Sequence, residues 1–212
     1  LEQSLQLRQE LAKAPEEKAD MVYSLLQLGN TCKKIATTVF HLGKSNRSED
    51  STKQAEEYYN EALKLSEENL GEHELTSWCH KYLGDLFLPN KKSTEAEGEF
   101  TKAKEMRENL DLNFNERHVS LLNNLGQCLA KNERVTDGIT ILESARDMAE
   151  KLAENDDRNV RKTKVYKSLA IAYYSKKQIP DAAKYANKAL EFPEALKQHV
   201  LEKLRKIALS NV

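Results

Sequence analysis

The segment AEEYYNEALKLSEENLGEHELTSWCHKYLGDLF, from Ala55 to Phe87, reads as two amphipathic helices joined by a turn. Near its end an apolar residue is followed by a small one, Leu83-Gly84. A small residue inside a helix lets a second helix approach closely, so this dipeptide marks a helix-packing position. Recurrence of this marker along the chain would indicate a repeat of helix pairs.

The marker recurs four times, as Leu28-Gly29, Leu83-Gly84, Leu125-Gly126 and Leu169-Ala170. The last three copies are followed twelve residues later by a second small residue, and then by residues four and seven positions further on. These sets are Ala96, Phe100 and Ala103; Gly138, Leu142 and Ala145; and Ala182, Ala186 and Ala189. The first copy has Ala55, Tyr59 and Ala62 in the same roles. We expect the small residues to face each other, and the large ones to fill the gap between neighbouring helix pairs.

This pattern resembles the long-helix tetratricopeptide repeats of kinesin light chains and of the sensor arms of signal-transducing NTPases. The resemblance is carried by Ala55–Phe87 and by HVSLLNNLGQCLA, His118–Ala130. It implies an all-α fold, a right-handed superhelical solenoid of helix-turn-helix repeats with a C-terminal capping helix. A single domain over residues 1–212 would comprise a half repeat at 1–14, repeats at 16–70, 72–110, 115–154 and 157–192, and a cap at 194–212. The stripe Leu196, Val200, Leu204 and Ile207 would form that cap.

The first repeat departs from the pattern, because its first helix continues through Ile35, Val39 and Leu42. A polar loop is predicted next, KSNRSED from Lys44 to Asp50, either as a tolerated surface insertion or as a docking or modification loop. Second helices are expected to start near two capping-box spacings, Ser51 with Gln54 and Thr94 with Glu97.

Composition excludes several classes of function. The 33 basic and 34 acidic residues leave a net charge of -1, so no overall field favours nucleic acid or anionic lipid. Cys32, Cys79 and Cys128 form no CxxC pair, which indicates reduced thiols rather than a zinc site or a disulfide framework. No apolar run or signal peptide points to a membrane. The chain begins inside a repeat, so we expect an excised piece of a longer cytoplasmic protein.

No motif for phosphate binding, metal binding or nucleophilic catalysis occurs, so the sequence predicts neither an enzyme nor a cofactor or metal. Ser77 and His80 lie one helical turn apart, but the sequence offers no obvious carboxylate to orient the histidine. The acidic run at Glu67, Glu68 and Glu72 is interpreted as a solvated helix face. Function must then come from the shape and chemistry of a binding surface.

In this architecture the first helices of the repeats line a concave groove. With the small residue of the marker counted as position eight, the side chains at positions two, five, six and nine of each first helix should face that groove. The predicted peptide-binding residues are Tyr23, Gln27, Asn30, Trp78, Lys81, Tyr82, Asp85, Asn123, Asn124, Gln127, Lys164 and Lys167. The same count also selects Leu26, Ser120, Ser168 and Ile171. Amides can pair with a peptide backbone, aromatic rings can anchor a side chain, and lysines favour acidic residues. The predicted partner is therefore a protein or peptide, and the lysines favour an acidic one.

The resemblance to kinesin light chains implies that Asn123 and Asn124 line a cargo-peptide groove, although Lys81-Tyr82 and Lys167-Ser168 replace the pair elsewhere. A chaperone-tail clamp is not predicted, because Leu26 stands where that clamp has a lysine. Trp78 has an alternative role, covering a gap between repeats. The second hypothesis for function is an autoinhibitory or oligomerising arm that contacts its own parent chain or another copy. Nucleic-acid binding would rest only on scattered basic pairs at 91–92, 161–162 and 176–177.

Overall fold

The structure, a computed structural model, describes residues 15–42, 45–90, 92–152 and 156–210, and in these residues the chain is all-α, as the repeat pattern predicts. The described helices are α1 (Pro15–His41), α2 (Ser45–Asn69), α3 (Glu74–Phe87), α4 (Ser93–Asn109), α5 (Glu116–Lys131), α6 (Val135–Lys151), α7 (Asp156–Ser175), α8 (Ile179–Leu190) and α9 (Gln198–Leu209). Short 3-10 turns occupy Leu88–Asn90 and Pro193–Ala195. The predicted half repeat at 1–14 lies outside the described residues.

Consecutive helices pair as hairpins, and the hairpins fall into two compact units, Leu1–Leu110 and Asp111–Val212. Helices α1 to α4 belong to the first unit, and α5 to α9 to the second. The core of the first unit includes Val22, Leu25, Tyr59, Cys79 and Leu83. The core of the second includes Val119, Leu142, Leu169, Ala186 and Leu204. No described helix is both long enough and apolar enough to cross a membrane.

The marker glycines lie at tight helix contacts, which confirms the packing prediction. A Cβ atom at Gly84 would come within 2.6 Å of the Phe100 ring, and one at Gly126 within 2.6 Å of Leu142 and 2.9 Å of the Gly138 carbonyl oxygen. The role of the large residues differs from the prediction. Phe100 covers the glycine of its own pair, because the missing side chain leaves a hollow of the size of a ring.

The first hairpin is longer than predicted. Helix α2 begins at Ser45, so the polar loop predicted over 44–50 is wrong for the residues from Ser45 onward. Nothing between Ser45 and Asn69 is glycine or proline, so polar composition alone does not break the helix. The extra turns of α2 pack on α1, where Ser48 Oγ donates to the Ala36 carbonyl oxygen at 3.0 Å.

Of the two predicted capping boxes, the one at Ser51 is wrong, and the one at Thr94 lies within one residue of an observed helix start. Ser51 lies inside α2, and α4 begins at Ser93 with Lys92 at an N-cap position that makes no side-chain hydrogen bond. Side chains cap two other helices. The ring nitrogen Nδ1 of His73 accepts from the Leu75 amide at 3.1 Å, and Asn115 Oδ1 accepts from the His118 amide at 3.0 Å.

The C-terminal helix α9 closes the second unit. Leu201, Leu204 and Ile207 are buried, while Leu196 and Val200 pack half-buried against the same core. The predicted apolar stripe thus reaches the core, but Leu196 precedes the helix, which begins at Gln198. Outward-facing positions of α9 carry charged side chains, such as Glu202 and Lys203, as expected of a terminal cap.

Candidate functional site

In the first unit, three predicted site residues lie on α1. Tyr23 is 49% exposed and Gln27 is exposed, so both can meet a partner. Asn30 is half-buried, and its Oδ1 accepts a hydrogen bond from Tyr59 Oη at 2.9 Å. That bond holds the Asn30 side chain in one orientation and leaves its amide NH2 group as the donor available to a ligand.

Helix α3 contributes a connected polar and aromatic group beside α1. Lys81 Nζ lies 2.6 Å from Asp85 Oδ2 and 4.9 Å from the centre of the Tyr82 ring. The Tyr82 ring in turn stacks on Tyr59, with ring centres 5.7 Å apart and an angle of 13° between planes. Each of these side chains is fixed by another, so the surface is held in shape before any partner binds.

Lys33 on α1 joins this group, although sequence reasoning missed it. Burial lowers the pKa of Lys33; the charge of Asp85 opposes this effect and the charge of Lys81 adds to it. Lys33 comes three residues, nearly one helical turn, after Asn30, which was the last position of α1 assigned to the groove. Because the sequence already predicts that α1 continues beyond Gly29, extending the groove positions by one more turn would have included Lys33. We call Tyr23, Gln27, Asn30, Lys33, Trp78, Lys81, Tyr82 and Asp85 the α1–α3 face.

Trp78 is half-buried and packs against the core of the first unit. Its ring therefore contributes to the stability of α3, which agrees with the alternative role considered for it. A tryptophan that is partly in the core can still present one edge to a partner. Its role as a binding anchor stays a prediction.

In the second unit, the amide residues of α5 form a short chain of contacts. Asn123 Nδ2 donates to Asn124 Oδ1 at 3.1 Å, and Gln127 Nε2 donates to the Asn123 carbonyl oxygen at 3.3 Å. Asn123 is only 6% exposed, and its buried Oδ1 has no hydrogen-bond partner among the described residues. A buried carbonyl oxygen in this state gains from any donor that reaches it.

Two predicted lysines lie on α7, which packs on α5, and Arg161 of α7 joins Glu116 of α5 at 2.5 Å. Lys164 is exposed and Lys167 is half-buried. Burial lowers the pKa of Lys167, and the charge of Lys164 lowers it further. Within the described part of the chain, no carboxylate pairs with either lysine. We call Asn123, Asn124, Gln127, Lys164 and Lys167 the α5–α7 face.

Three of the counted positions are buried instead of lying on a surface: Leu26, Ser168 and, as described above, Asn123. Leu26 is 1% exposed and Ser168 is 3% exposed, and Ser168 Oγ donates to the Lys164 carbonyl oxygen at 2.9 Å. The groove prediction assumed that each first helix buries only a narrow stripe. Helices α1 and α7 are each covered by other helices on more than one side, so a wider face of each is buried. Ser120 and Ile171 are half-buried.

The serine and histidine of α3 form no catalytic arrangement with each other. A carboxylate that the sequence did not reveal is present, because Glu99 Oε2 lies 2.7 Å from His80 Nδ1 and Glu67 lies 3.9 Å from Nε2. However, Ser77 is fully buried and its Oγ donates to the Glu74 carbonyl oxygen at 2.6 Å. In the described ranges, no cluster of three or more His, Cys, Asp or Glu residues could hold a metal ion.

Burial by itself would raise the pKa of Glu99. Its hydrogen bonds and charge contacts with His80 and Lys102 outweigh burial, and they hold that pKa below its usual range. The pair of Glu99 and His80 therefore joins α4 to α3 as a structural contact.

Comparisons with known proteins identify the repeat. A family model described as tetratricopeptide repeat matches residues 34–109 and 118–195. The solved structure of BtubC (BKLC) from P. vanneervenii is 21% identical with a TM-score of 0.56, and the match covers 97% of this chain and 77% of that one. A Podosopora anserina protein, described as a kinesin light chain with nearly identical TPR-like repeats, is 15% identical with a TM-score of 0.60, over 86% and 95% of the two chains. A single-substitution variant of that protein gives the same values. No curated protein sequence matches the chain. These similarities confirm the predicted all-α repeat solenoid.

Proposed function

Because the chain belongs to the tetratricopeptide repeat family, whose members are generally protein-interaction scaffolds, we propose that it binds an extended acidic segment of a partner protein along the first helices of its helix pairs. It does so without catalysis, as a module of a larger cytoplasmic adaptor, motor or signalling protein. The α1–α3 face and the α5–α7 face are two separate candidate surfaces for such a segment.

The single observation that carries this proposal is the state of Lys167. An ammonium group loses hydration when it is half-buried, and a nearby carboxylate normally offsets the loss. Among the described residues, the only charge that shifts the pKa of Lys167 is the like charge of Lys164. An acidic side chain of a partner would supply the missing counter-charge, so binding relieves a cost that the unbound protein carries.

The amides of α5 favour an extended partner rather than a lone anion. A peptide backbone presents amide donors and acceptors at regular intervals, and the half-buried side chains of Asn124 and Gln127 carry amide groups that can pair with them. Carboxylates at Lys164 and Lys167, with backbone groups at Asn124 and Gln127, would then define a register for the bound segment.

On the α1–α3 face, two lysines surround one aspartate. Lys81 is paired with Asp85 at 2.6 Å, and Lys33 shares the same carboxylate only through a longer-range interaction. The local charge is therefore positive by one unit. The exposed ring of Tyr23 could pack against an apolar neighbour of the acidic residue.

Selection of unstructured twelve-residue peptides from a display library tests the proposal. Peptides that bind the chain should be enriched in Asp and Glu, and their binding should weaken as salt is raised. Lys167→Ala should lower the affinity of the selected peptides by about tenfold, the loss expected for one charge-assisted contact. Lys203→Ala, which removes an exposed lysine of α9, is the matched control and should leave binding unchanged. Selected peptides without acidic residues, or equal losses in both variants, would contradict the proposal.

A further inference from the structure

One face of α7 remains accessible to solvent along most of the helix. At 3.6 residues per turn, five of its side chains fall within about 80° of each other around the helix axis. Val160 is 37% exposed and Tyr174 is 45% exposed. Between them, Lys164 is exposed, and Lys167 and Ile171 are half-buried. We call these five residues the α7 stripe.

The α7 stripe is narrow. Thr163 and Ala170, which flank it on one side, are fully buried, and Ser168 on the other side is 3% exposed. From Val160 to Tyr174 the stripe is about 21 Å long, because a helix rises 1.5 Å per residue. An extended peptide covers that length with about six residues. A surface that is long and one side chain wide fits a single extended chain better than a lipid surface, which needs a broad plane of contacts.

The centre of the α7 stripe is cationic, and among the described residues no carboxylate pairs with its two lysines. The carboxylates of the helices beside α7 are bonded elsewhere. Glu116 of α5 lies 2.5 Å from Arg161, and Glu143 and Glu150 of α6 each accept a hydrogen bond from a tyrosine hydroxyl at 2.8 Å. The unbound protein therefore holds two like charges together on this face.

The ends of the α7 stripe are apolar, which limits where a ligand can place negative charge. Lys164 and Lys167 are only about 4.5 Å apart along the helix axis, little more than one residue of an extended chain. A run of carboxylates would bring further charges over Val160 or Ile171, where apolar side chains cannot replace their hydration. A phosphorylated side chain instead carries close to two negative charges and three acceptor oxygens on one residue.

We propose that the α7 stripe binds a phosphorylated serine or threonine of the partner segment, with apolar residues of that segment on either side of it. This inference rests on the proposed function and specifies what the segment presents to α7. Lys164 and Lys167 donate to the phosphate oxygens. The centre of the lysine pair lies about 8 Å along the helix from both Val160 and Ile171, so the apolar residues stand two or three positions from the phosphorylated one.

Fluorescence anisotropy with the 212-residue chain and a labelled twelve-residue peptide tests the inference. The peptide has blocked ends, leucines at the second and third positions on both sides of a central residue, and no other charged side chain. The central residue is phosphoserine, aspartate or serine. The phosphoserine peptide should bind at least about tenfold more tightly than the aspartate peptide, and the serine peptide should show no measurable binding.

Substitutions in the chain test the location of the site. Lys164→Ala and Lys167→Ala should each weaken binding of the phosphoserine peptide by about tenfold, the loss of one charge-assisted contact. Lys203→Ala, at an exposed position on α9, is the matched control and should leave this binding unchanged. Thermal melts that do not fall below the wild-type temperature show that the lysine variants are folded.

The pH dependence of binding distinguishes a phosphate from a carboxylate. The second pKa of a phosphorylated serine is about 6, so the dianion fraction falls about fourfold between pH 7.5 and pH 5.5, and binding should weaken by the same factor. Aspartate, with a pKa of about 3.9, stays charged over this range, so the aspartate peptide should bind equally at both pH values. Protonation of a group on the protein would change the binding of both peptides.

Several results would overturn the inference. These are equal affinities of the phosphoserine and aspartate peptides, and phosphoserine binding that survives both lysine variants. Free phosphoserine that competes at the concentration of the peptide would remove the role of the apolar neighbours. Tighter binding to vesicles that carry phosphorylated lipids would make a membrane the ligand. Selection of acidic peptides from the display library needs no phosphate, so it decides separately whether the proposed function stands.

Discussion

The ring of Phe100 on α4 lies directly over the backbone of Gly84 on α3, within 2.6 Å of where a Cβ atom would stand. Three of the four repeats share this relationship. A marker glycine faces a large side chain in the pairs Gly29 with Tyr59, Gly84 with Phe100 and Gly126 with Leu142. In the fourth repeat the marker is Ala170 and the corresponding residue is Ala186, both fully buried. A glycine at the marker position is thus matched by a large side chain on the second helix, and an alanine at the marker position is matched by a small one.

A double-mutant cycle at this contact should show strong coupling. Gly84→Ala alone should destabilise the protein by about 1 kcal/mol or more, because the ring must move, and Phe100→Ala alone should cost about 3 to 5 kcal/mol. The double variant resembles the Ala170 and Ala186 pair, so it should cost at least about 1 kcal/mol less than the sum. Urea denaturation of the four proteins measures the coupling.

Gly98 supplies the control for this cycle. It lies on α4 with no atom within 4 Å of a Cβ position, and its surface is open. Gly98→Ala should raise stability by about 0.5 to 1 kcal/mol, the helix propensity difference between the two residues. Additive behaviour at residues 84 and 100 would show that the ring adapts without cost.

Removal of the C-terminal cap should destabilise the end of the second unit. A chain truncated before Glu194 loses the buried Leu201, Leu204 and Ile207, and the core around Tyr185 becomes exposed. Hydrogen exchange of α7 and α8 amides should become faster by tenfold or more, which corresponds to about 1.4 kcal/mol or more of local stability. Leu209→Ala is the matched control at an exposed position. Unchanged protection of α8 in the truncated chain would show that α9 is dispensable.

The pair of Glu99 and His80 should make stability depend on pH in the acid range. The pKa of Glu99 is lowered in the folded state from an ordinary value of 4.5, so its contribution is present above that pH and is lost as the pH falls below it. Glu99→Gln should therefore melt at a lower temperature than the wild type at pH 7. The difference should narrow below about pH 4.5. Glu95→Gln, at an exposed position on the same helix, should show no such difference.

Lys167 should lower the stability of the unbound protein and strengthen the binding of acidic peptides. Its ammonium group is half-buried and its pKa is lowered, so the charged form is disfavoured in the unbound fold. Lys167→Met keeps the length of the side chain and removes the charge; it should raise the melting temperature by about 1 to 3 °C. The same variant should bind acidic peptides more weakly. Lys203→Met, at an exposed position on α9, should leave the melting temperature unchanged. A melting temperature lowered by Lys167→Met would contradict the desolvation argument.

Much of the fold could be predicted from the sequence because its signals are local. The spacing from Gly84 to Ala96 and Phe100 encodes a close helix contact, and the structure has that contact. The apolar stripe of α9 could be predicted for the same reason. The start of α2 could not, because Ser45 to Asp50 is as compatible with a loop as with a helix until α1 packs beside it.

By itself, the sequence determined that the chain is built of helix pairs, where the close contacts between the helices lie and which residues form the cap, since each depends on the order and size of side chains along one helix. The tertiary structure alone decided the environment of individual charges. It buried Arg107 on α4, placed His80 against Glu99 and left Lys167 half-buried without a counter-charge among the described residues. The physical reason is that the burial of a side chain depends on which neighbouring helix covers it and where that helix ends.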